Sequence, residues 1–420
     1  METRVVIFGL LYFSFFCDPV NGQTPTTGLI PLNDLKTGFY KSFQGGLYPG
    51  GENNRPFIHD SLGLLLAQHI APLDTLGNID PVRGKIVFLS VGMSNTTQEF
   101  SFFKSIADTD KAKNPKLIIV DGAQGGQTAA IISNPTASFW TVIEQRLHSA
   151  GVSNRQIQAC WVKEADAGPT QQFPIHANTL RDELIAIVRI IKQKYANCRI
   201  VYISSRIYGG YATSTLNPEP YAYESGFSVK WVIEKQISGD TSLTYNGNSP
   251  KAPWLSWGPY FWADGLSARS DGLIWEVTDF VTTDGTHPST SGRKKVAEAL
   301  LTFVKTDMTA KTWFLKTPVT GIRDNNAGTL PNSPLLHQNY PNPFNPETVI
   351  RYNMPVAGRV TLMVFDVLGR EVATMLDEYE DAGTYARAFN VRDYHLSSGV
   401  YFYQLRCNAF IDVKIMILQQ

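Results

Sequence analysis

The chain of 420 residues predicts an α/β domain, a three-layer sandwich built on a parallel sheet, followed by a separate all-β sandwich. Two patterns predict this order. Between residues 80 and 306, continuous apolar runs alternate with amphipathic stretches, as in a sheet that helices cover on both faces. From residue 335 onward, apolar and polar residues alternate one by one, which is the period of half-buried strands.

Four apolar runs predict the strands of the parallel sheet. They cover 85–91, 117–120, 157–162 and 200–203. Helices are predicted at about 97–107, 137–149 and 175–196, and a last helix after Ser289. Ligands bind at the carboxyl ends of the strands in such sheets, so we expect the site in the loops that follow the strands.

The chain divides into four predicted parts. These are a signal peptide at 1–22, the α/β domain at 23–313 with its core at about 84–305, a linker at 314–334 and a β-sandwich at 335–420. Arg4 before an apolar run that ends at Phe16 is typical of a signal peptide. That run is too short for a membrane span, and we expect no transmembrane segment in the mature chain. Cys17 leaves a lipoprotein as the alternative.

Charge and cysteine content narrow the classes of partner. The 37 basic and 37 acidic residues balance, so no nucleic-acid partner is predicted. Cys160, Cys198 and Cys407 are too few for a disulfide framework, and the first two either pair or remain as buried thiols. No cluster has zinc spacing and no Walker or G-x-G-x-x-G loop is present, so we expect no metal and no cofactor.

Two loops carry the candidate chemistry. Ser94 follows the first strand, and we expect a capping box from Thr96 to Glu99 to start the next helix and leave Ser94 on the turn before it. A hydroxyl near a helix N-terminus is placed where a developing oxyanion is stabilised. In D-G-T-H before the last helix, Asp284 can orient His287 as a base. Taken singly, each loop also fits an ordinary polar turn.

Together these residues resemble the SGNH hydrolases, α/β esterases with a flavodoxin-like sheet. In that family the nucleophile follows the first strand and a D-x-x-H pair precedes the last helix. The resemblance covers about 84–305 and implies Ser94 as nucleophile, His287 as base and Asp284 as its orienting partner. It also implies that the backbone N–H groups of Ser94 and Gly126 form the oxyanion hole, because D-G-A-Q-G-G-Q-T matches the second family block.

The third family block departs from the common pattern. The chain has W-V-K-E-A-D where most members have G-x-N-D, so Ala165 replaces the asparagine donor. The segment is more similar to the sialate O-acetylesterase-like members, and on that resemblance Lys163 and Glu164 are assigned to substrate binding. Loss of a donor commonly costs two to three powers of ten in rate unless another group substitutes. A protein without activity is therefore an alternative.

Residues 207–275 are predicted to form a long insertion dense in aromatic side chains. They are Trp254, Trp257, Tyr260, Phe261 and Trp262. They form either a sugar-stacking platform, in which Trp262 binds substrate, or a satellite core under a long loop. The glycine-rich loop at 45–51 either covers the site or packs against the sheet edge.

The C-terminal region carries four linked motifs. These are N-Y-P-N-P-F-N-P-E-T from Asn339, V-T-L-M-V-F-D-V-L-G-R-E-V at 360–372, A-G-T-Y at 382–385 and S-S-G-V-Y-F-Y-Q-L at 397–405. They resemble the type A C-terminal sorting domain of the type IX secretion system. The resemblance implies that residues 335–420 engage that machinery and that the protein is secreted or attached to the outer cell surface. A sugar-binding sandwich is the alternative.

The combined prediction is an exported serine esterase that removes acyl groups, most plausibly O-acetyl, from a glycan. The competing hypothesis is a non-catalytic carbohydrate-binding protein of the cell surface on the same fold.

Overall fold

The computed structural model describes residues 24–247, 249–316, 334–407 and 410–419. The predicted signal peptide lies outside these residues, as does most of the predicted linker, from 317 to 333. Those two predictions therefore remain predictions.

The helices and strands up to residue 316 follow one another in the order of an α/β domain. They are α1 (Leu32–Leu35), β1 (Phe39–Tyr40), β2 (Phe43–Gln44), α2 (Phe57–Gln68), β3 (Ile86–Gly92), α3 (Ser94–Asp108), β4 (Leu117–Asp121), α4 (Ala129–Ile132), α5 (Ser138–Ser149), β5 (Ile157–Lys163), α6 (Ile175–Lys194), β6 (Ile200–Ser204), α7 (Tyr221–Ile237), β7 (Trp254–Trp257), α8 (Thr290–Thr306) and α9 (Met308–Phe314).

Strands β3 to β7 form one parallel sheet in the order β4-β3-β5-β6-β7. This is the flavodoxin-like order, with the first strand inside the sheet. Every residue of β3 and β5 is buried, as continuous apolar runs predict. Two groups of helices pack together, α2, α3, α8 and α9 in one and α4, α6 and α7 in the other. The predicted α/β class is confirmed.

One part of the sequence-based topology is wrong. The segment 207–275 is not an insertion, because it contains α7 and the fifth strand, β7. The run W-L-S-W is only four residues long, and its aromatic side chains are fully buried rather than alternating in and out. A strand this short, buried on both faces, has no period that sequence alone can detect.

The glycine-rich loop at 45–51 packs against the edge strand β7. Trp257 Nε1 donates to the carbonyl of Leu47 at 2.7 Å, and the hydroxyls of Tyr48 and Ser256 lie 3.0 Å apart. Of the two predicted places for this loop, the structure therefore shows the sheet edge.

The two central cysteines are separate buried thiols. The Sγ atoms of Cys160 and Cys198 lie 3.7 Å apart without a bond. Burial raises the pKa of Cys160 well above its ordinary value, so the sulfur is held as the neutral thiol.

The C-terminal region is an all-β sandwich with its own core, as predicted. Its strands are β8 (Leu335–Leu336), β9 (Glu347–Met354), β10 (Gly358–Phe365), β11 (Glu371–Glu380), β12 (Gly383–Asn390), β13 (Gly399–Cys407) and β14 (Phe410–Leu418). One antiparallel sheet has the order β11-β10-β13-β14 and the other β12-β9-β8. Their inward faces form a hydrophobic cluster separate from that of the α/β domain.

Candidate active site

Three of the predicted site residues form one hydrogen-bonded chain. Ser94 Oγ lies 2.8 Å from His287 Nε2, and His287 Nδ1 lies 2.6 Å from Asp284 Oδ2. Because a carboxylate only accepts, Nδ1 carries the proton and Nε2 is free to accept from the serine hydroxyl. The side chains of His287 and Asp284 are 22% and 23% exposed, so the chain of bonds is accessible from solvent.

The loop of the D-G-T-H motif holds the carboxylate of Asp284 in place. Oδ1 accepts the backbone N–H groups of Thr286 at 2.8 Å and His287 at 2.9 Å. Partial burial opposes ionisation, but these hydrogen bonds and that of the His287 ring hold the pKa of Asp284 below its ordinary value. Asp284 therefore stays ionised in the pH range where a histidine base is neutral.

Gly285 is required for this loop. Its φ is +60°, and a Cβ added there would lie 1.8 Å from the carbonyl oxygen of Tyr211. Both the backbone conformation and the close approach exclude a side chain, and the turn they permit brings Asp284 back toward His287.

Helix α3 begins at Ser94 itself, which corrects the predicted capping box. Thr96 does not cap the helix, because its Oγ1 donates to the carbonyl of Lys163 at 2.5 Å. Glu99 instead pairs with the ammonium of Lys163. The side chains of Thr96 and Glu99 thus bond to Lys163 on β5 instead of capping the backbone of α3. Ser94 consequently lies in the first turn of α3, at the positive end of the helix dipole.

Gly126 occupies a left-handed turn beside the serine. Its φ is +74° and no atom lies within 4 Å of a Cβ added there. A Cβ added to the preceding Gly125 would be 4.0 Å from Ser94 Cβ, so this turn flanks the hydroxyl. In the part of the chain that the structure describes, the backbone N–H of Gly126 donates to no protein group.

A carboxylate that the sequence analysis did not single out holds this turn against α3. Asp121 Oδ2 accepts from the hydroxyls of Thr97 at 2.6 Å and Ser101 at 2.7 Å. Asp121 Oδ1 accepts from Ser90 Oγ at 2.6 Å, and Ser90 Oγ accepts from the N–H of Gly122 at 3.0 Å. Only the polar spacing of Thr97 and Ser101 on one helix face could have indicated it.

Asn95 is a second residue that the sequence analysis missed. Its Nδ2 donates to the carbonyl of Thr286 at 3.0 Å, and the side chain is buried. It therefore ties the start of α3 to the histidine loop. In the sequence, only the position of Asn95 directly after Ser94 could have indicated a role in the site.

Lys163, Glu164 and Ala165 of the third block are buried in the protein. Lys163 and Glu99 form an ion pair at 2.8 Å with both side chains at most 1% exposed, and burial lowers the pKa of Lys163 to about 8. Burial also raises the pKa of Glu164 well above its ordinary value, and one of its oxygens accepts the N–H of Ala165. Ala165 is itself fully buried, so this block presents no side-chain donor to Ser94.

The aromatic side chains between 254 and 262 belong to the main core. Each is at most 6% exposed, and Trp262 Nε1 donates to Glu219 Oε1 at 2.7 Å. Their faces are occupied by protein, as in the predicted alternative of a packed core. Neither Trp262 nor Lys163 offers a surface to a substrate in this conformation.

Within the described ranges, no group of three or more His, Cys, Asp or Glu side chains is placed to hold a metal ion.

Comparison with known proteins gives a family for the C-terminal region. Residues 338–419 match the secretion system C-terminal sorting domain. No curated protein matches the chain. Among solved structures, latent PorU from Porphyromonas gingivalis is 17% identical over 20% of this chain and 9% of its own, with a TM-score of 0.18.

Two further solved structures overlap about half of the chain or slightly more. The periplasmic domain of a lipopolysaccharide acetyltransferase from Salmonella ser. Paratyphi A is 16% identical over 59% of this chain and 94% of its own, with a TM-score of 0.27. A salicylyl-acyltransferase from a tetracycline biosynthetic pathway is 14% identical over 53% and 54%, with a TM-score of 0.29. The chain thus covers less than a tenth of the length of PorU and about half of the length of the salicylyl-acyltransferase. All three TM-scores lie below 0.5, so the α/β fold rests on this chain's own strand order.

No helix in the described parts of the chain has the length and apolar character needed to cross a membrane. The family match and the six strands within it, β9 to β14, agree on the nature of the C-terminal region. Residues 338–419 are a secretion system C-terminal sorting domain of the type IX machinery, and they direct this protein to export, for secretion or attachment at the cell surface.

Proposed function

We propose that the α/β domain is a serine ester hydrolase of the SGNH type, which removes ester-linked acyl groups, above all O-acetyl, from a glycan. One observation carries the proposal: the unbroken bond chain from Ser94 Oγ through His287 to Asp284, at 2.8 and 2.6 Å. Ser94 and His287, which are hydrogen-bonded in this chain, lie 193 positions apart in the sequence. A hydroxyl, an imidazole in the required tautomer and a carboxylate in this order form an activated nucleophile.

In the proposed reaction His287 Nε2 takes the proton of Ser94 as Oγ attacks the ester carbonyl. The alcohol of the glycan leaves with that proton, and an acyl-serine remains. Water then attacks the acyl group with His287 again as the base, and the carboxylic acid departs. Asp284 keeps the imidazole in place and stabilises its cationic form.

The oxyanion would be held by backbone N–H groups. Ser94 lies in the first turn of α3, where the N–H groups point outward along the helix dipole. The N–H of Gly126, on the turn beside Ser94, supplies the second donor. Two donors rather than three predict slower turnover than in a complete site.

A non-catalytic carbohydrate-binding protein is the second candidate. The observation that favours it is the buried Ala165 in place of a side-chain donor. A carbohydrate-binding protein, unlike the esterase, needs no activated serine.

Labelling with a fluorophosphonate probe separates the two, because only an activated serine reacts. The esterase predicts stoichiometric labelling of Ser94 and its loss in His287→Ala. Ser105→Ala, which removes an exposed hydroxyl from the same helix, is the matched control and should label fully. An unlabelled wild-type protein would remove the esterase proposal in favour of carbohydrate binding.

A further inference from the structure

A concavity that contains none of the three triad residues lies near the histidine loop. It has a volume of about 250 Å³ and is lined by the loop 166–171 after β5, the start of α6, Asn217 and Tyr221. We call it the side pocket. Ligand pockets for drug-sized molecules begin at about 300 Å³, so this one has room for a single ring rather than an extended chain.

One segment of the chain, 213–217, links the side pocket to the histidine loop. The N–H of Thr213 donates to the carbonyl of Asp284 at 2.9 Å, and Thr286 Oγ1 donates to that of Leu216 at 3.3 Å. At the other end of this segment, Asn217 Nδ2 donates to the carbonyl of Asp166. The segment 213–217 therefore connects the loop of Asp284 and His287 to Asn217, which lines the pocket.

The lining of the side pocket is rich in polar side chains. Its hydrogen-bonding side chains include Asp166, Gln171, His176 and Asn217, and within the described residues no lysine or arginine lines it. The His176 ring is already paired, with Nε2 2.6 Å from Glu224 Oε2.

A second carboxyl group lies behind Asp166. Burial, and then the neighbouring Asp166, raise the pKa of Glu183 to about 8. At neutral pH Glu183 therefore keeps its proton, and an anionic ligand would place a second negative charge beside Asp166.

We propose that the side pocket binds the sugar ring that carries the ester, and that this sugar is a neutral pyranose. The inference rests on the proposed esterase function and names its substrate class. Amide and carboxylate groups can bond the hydroxyls of such a ring. The ring of Tyr221, held edge-to-face against His176 at 4.9 Å, offers it an aromatic surface. A sugar that bears a carboxylate, such as sialic acid, would place that anion beside Asp166 with no cation to pair it.

Substrate choice by the full-length mature protein tests the charge argument. We expect kcat/KM for an acetylated neutral methyl pyranoside to exceed that for an O-acetylated sialic acid by about tenfold or more, since like charges placed together cost several kcal/mol. Gln171→Arg places a cation in the pocket. It should therefore bring the kcat/KM values for the neutral ester and the sialic acid ester closer together. Preference of the wild-type enzyme for the sialic acid ester would overturn the proposal.

A matched pair of variants tests the location. Gln171 and the next residue, Gln172, are both exposed, but only Gln171 lines the pocket. Gln171→Ala should raise KM for the neutral sugar ester about fivefold, as for the loss of one hydrogen bond, and affect p-nitrophenyl acetate less. Gln172→Ala should leave both substrates as in the wild type. Equal effects of the two variants would exclude the pocket.

Binding without chemistry keeps the two proposals separable. In Ser94→Ala, saturation-transfer NMR with an unacetylated neutral methyl pyranoside should show contact that Gln171→Ala weakens. If p-nitrophenyl acetate hydrolysis does not depend on Ser94, the esterase fails while this measurement still decides the pocket. An absent NMR contact would overturn the pocket even in an active esterase.

Discussion

At the scale of residues, short-range geometry decides whether two motifs become a site. Asp284 and His287 are three apart, and they meet because Gly285 takes a φ of +60° against the carbonyl of Tyr211. Ser94 joins them because α3 begins at that residue rather than after it. Asn95 and Asp121 then tie the serine helix to both of the loops beside it.

The triad should behave as a unit. Ser94→Ala and His287→Ala are each expected to lower kcat for a short acyl ester by about 10⁶-fold, and the double variant should be no worse, because the base has nothing left to activate. Asp284→Asn should cost less, about 10⁴-fold. Initial rates with p-nitrophenyl acetate measure this, and circular dichroism controls for folding. A His287→Ala variant with most of the wild-type rate would show that the assignment is wrong.

Gly285→Ala tests the loop. A methyl group there meets a backbone oxygen that cannot move aside, so we expect a loss of more than about 1 kcal/mol of unfolding free energy and a larger fractional loss of activity. Gly151→Ala is the control, because its φ of +70° is similar and an added Cβ meets no atom. Denaturant titration and ester turnover of both variants measure the effect. Equal stability losses would mean that the contact with Tyr211 does not matter.

At the scale of elements, the packing of α2 on β7 creates a pH-sensitive contact. His59 on α2 is buried, stacks on Trp254 at 4.9 Å, and lies 2.7 Å through Nε2 from the carbonyl of Leu255. Burial lowers the pKa of His59 to about 4. The folded protein thus keeps this ring neutral where an unfolded chain would protonate it.

His59 should therefore make the α/β domain sensitive to acid. Between pH 6.5 and about 4 the unfolded chain binds a proton that the folded chain does not, so stability falls as the pH falls, by about 3 kcal/mol, and levels off below about 4. His59→Gln keeps a donor that does not titrate and should flatten this part of the curve. His69→Gln, at an exposed position just after α2, is the control. Parallel curves for His59→Gln and the wild type would contradict the assignment.

At the scale of the whole molecule, two cores serve two tasks. The α/β core holds the candidate site, and the sandwich core belongs to the sorting domain. Between them, Gln68 Nε2 donates to the carboxylate oxygen Oδ1 of Asp412 at 2.7 Å, and a hydrogen bond to a charged group contributes about 1.5–3 kcal/mol.

Deletion of residues 335–420 should separate export from folding. The truncated protein is expected to accumulate in the periplasm as an intact, folded domain, because its own core is complete. Its unfolding temperature should shift by only a few degrees, since the two hydrophobic cores are separate and the α/β core stays intact. Cell fractionation and thermal denaturation measure both effects. Truncated protein on the cell surface would contradict the sorting role.

The sequence by itself determined the features that local patterns encode. Apolar runs and helical periodicity located β3 to β6 and the helices α3, α5, α6 and α8. Linked motifs identified the sorting domain, and motif order predicted which serine, histidine and aspartate would meet.

The tertiary structure alone decided where individual side chains went. It turned Lys163 toward Glu99, buried Trp262 against Glu219, added β7 to the sheet and set Asp121 between α3 and the Gly126 turn. The physical reason is that a side chain's partner depends on what packs opposite it. Such partners come from distant parts of the chain, so the local hydrophobic periodicity around a residue does not reveal them.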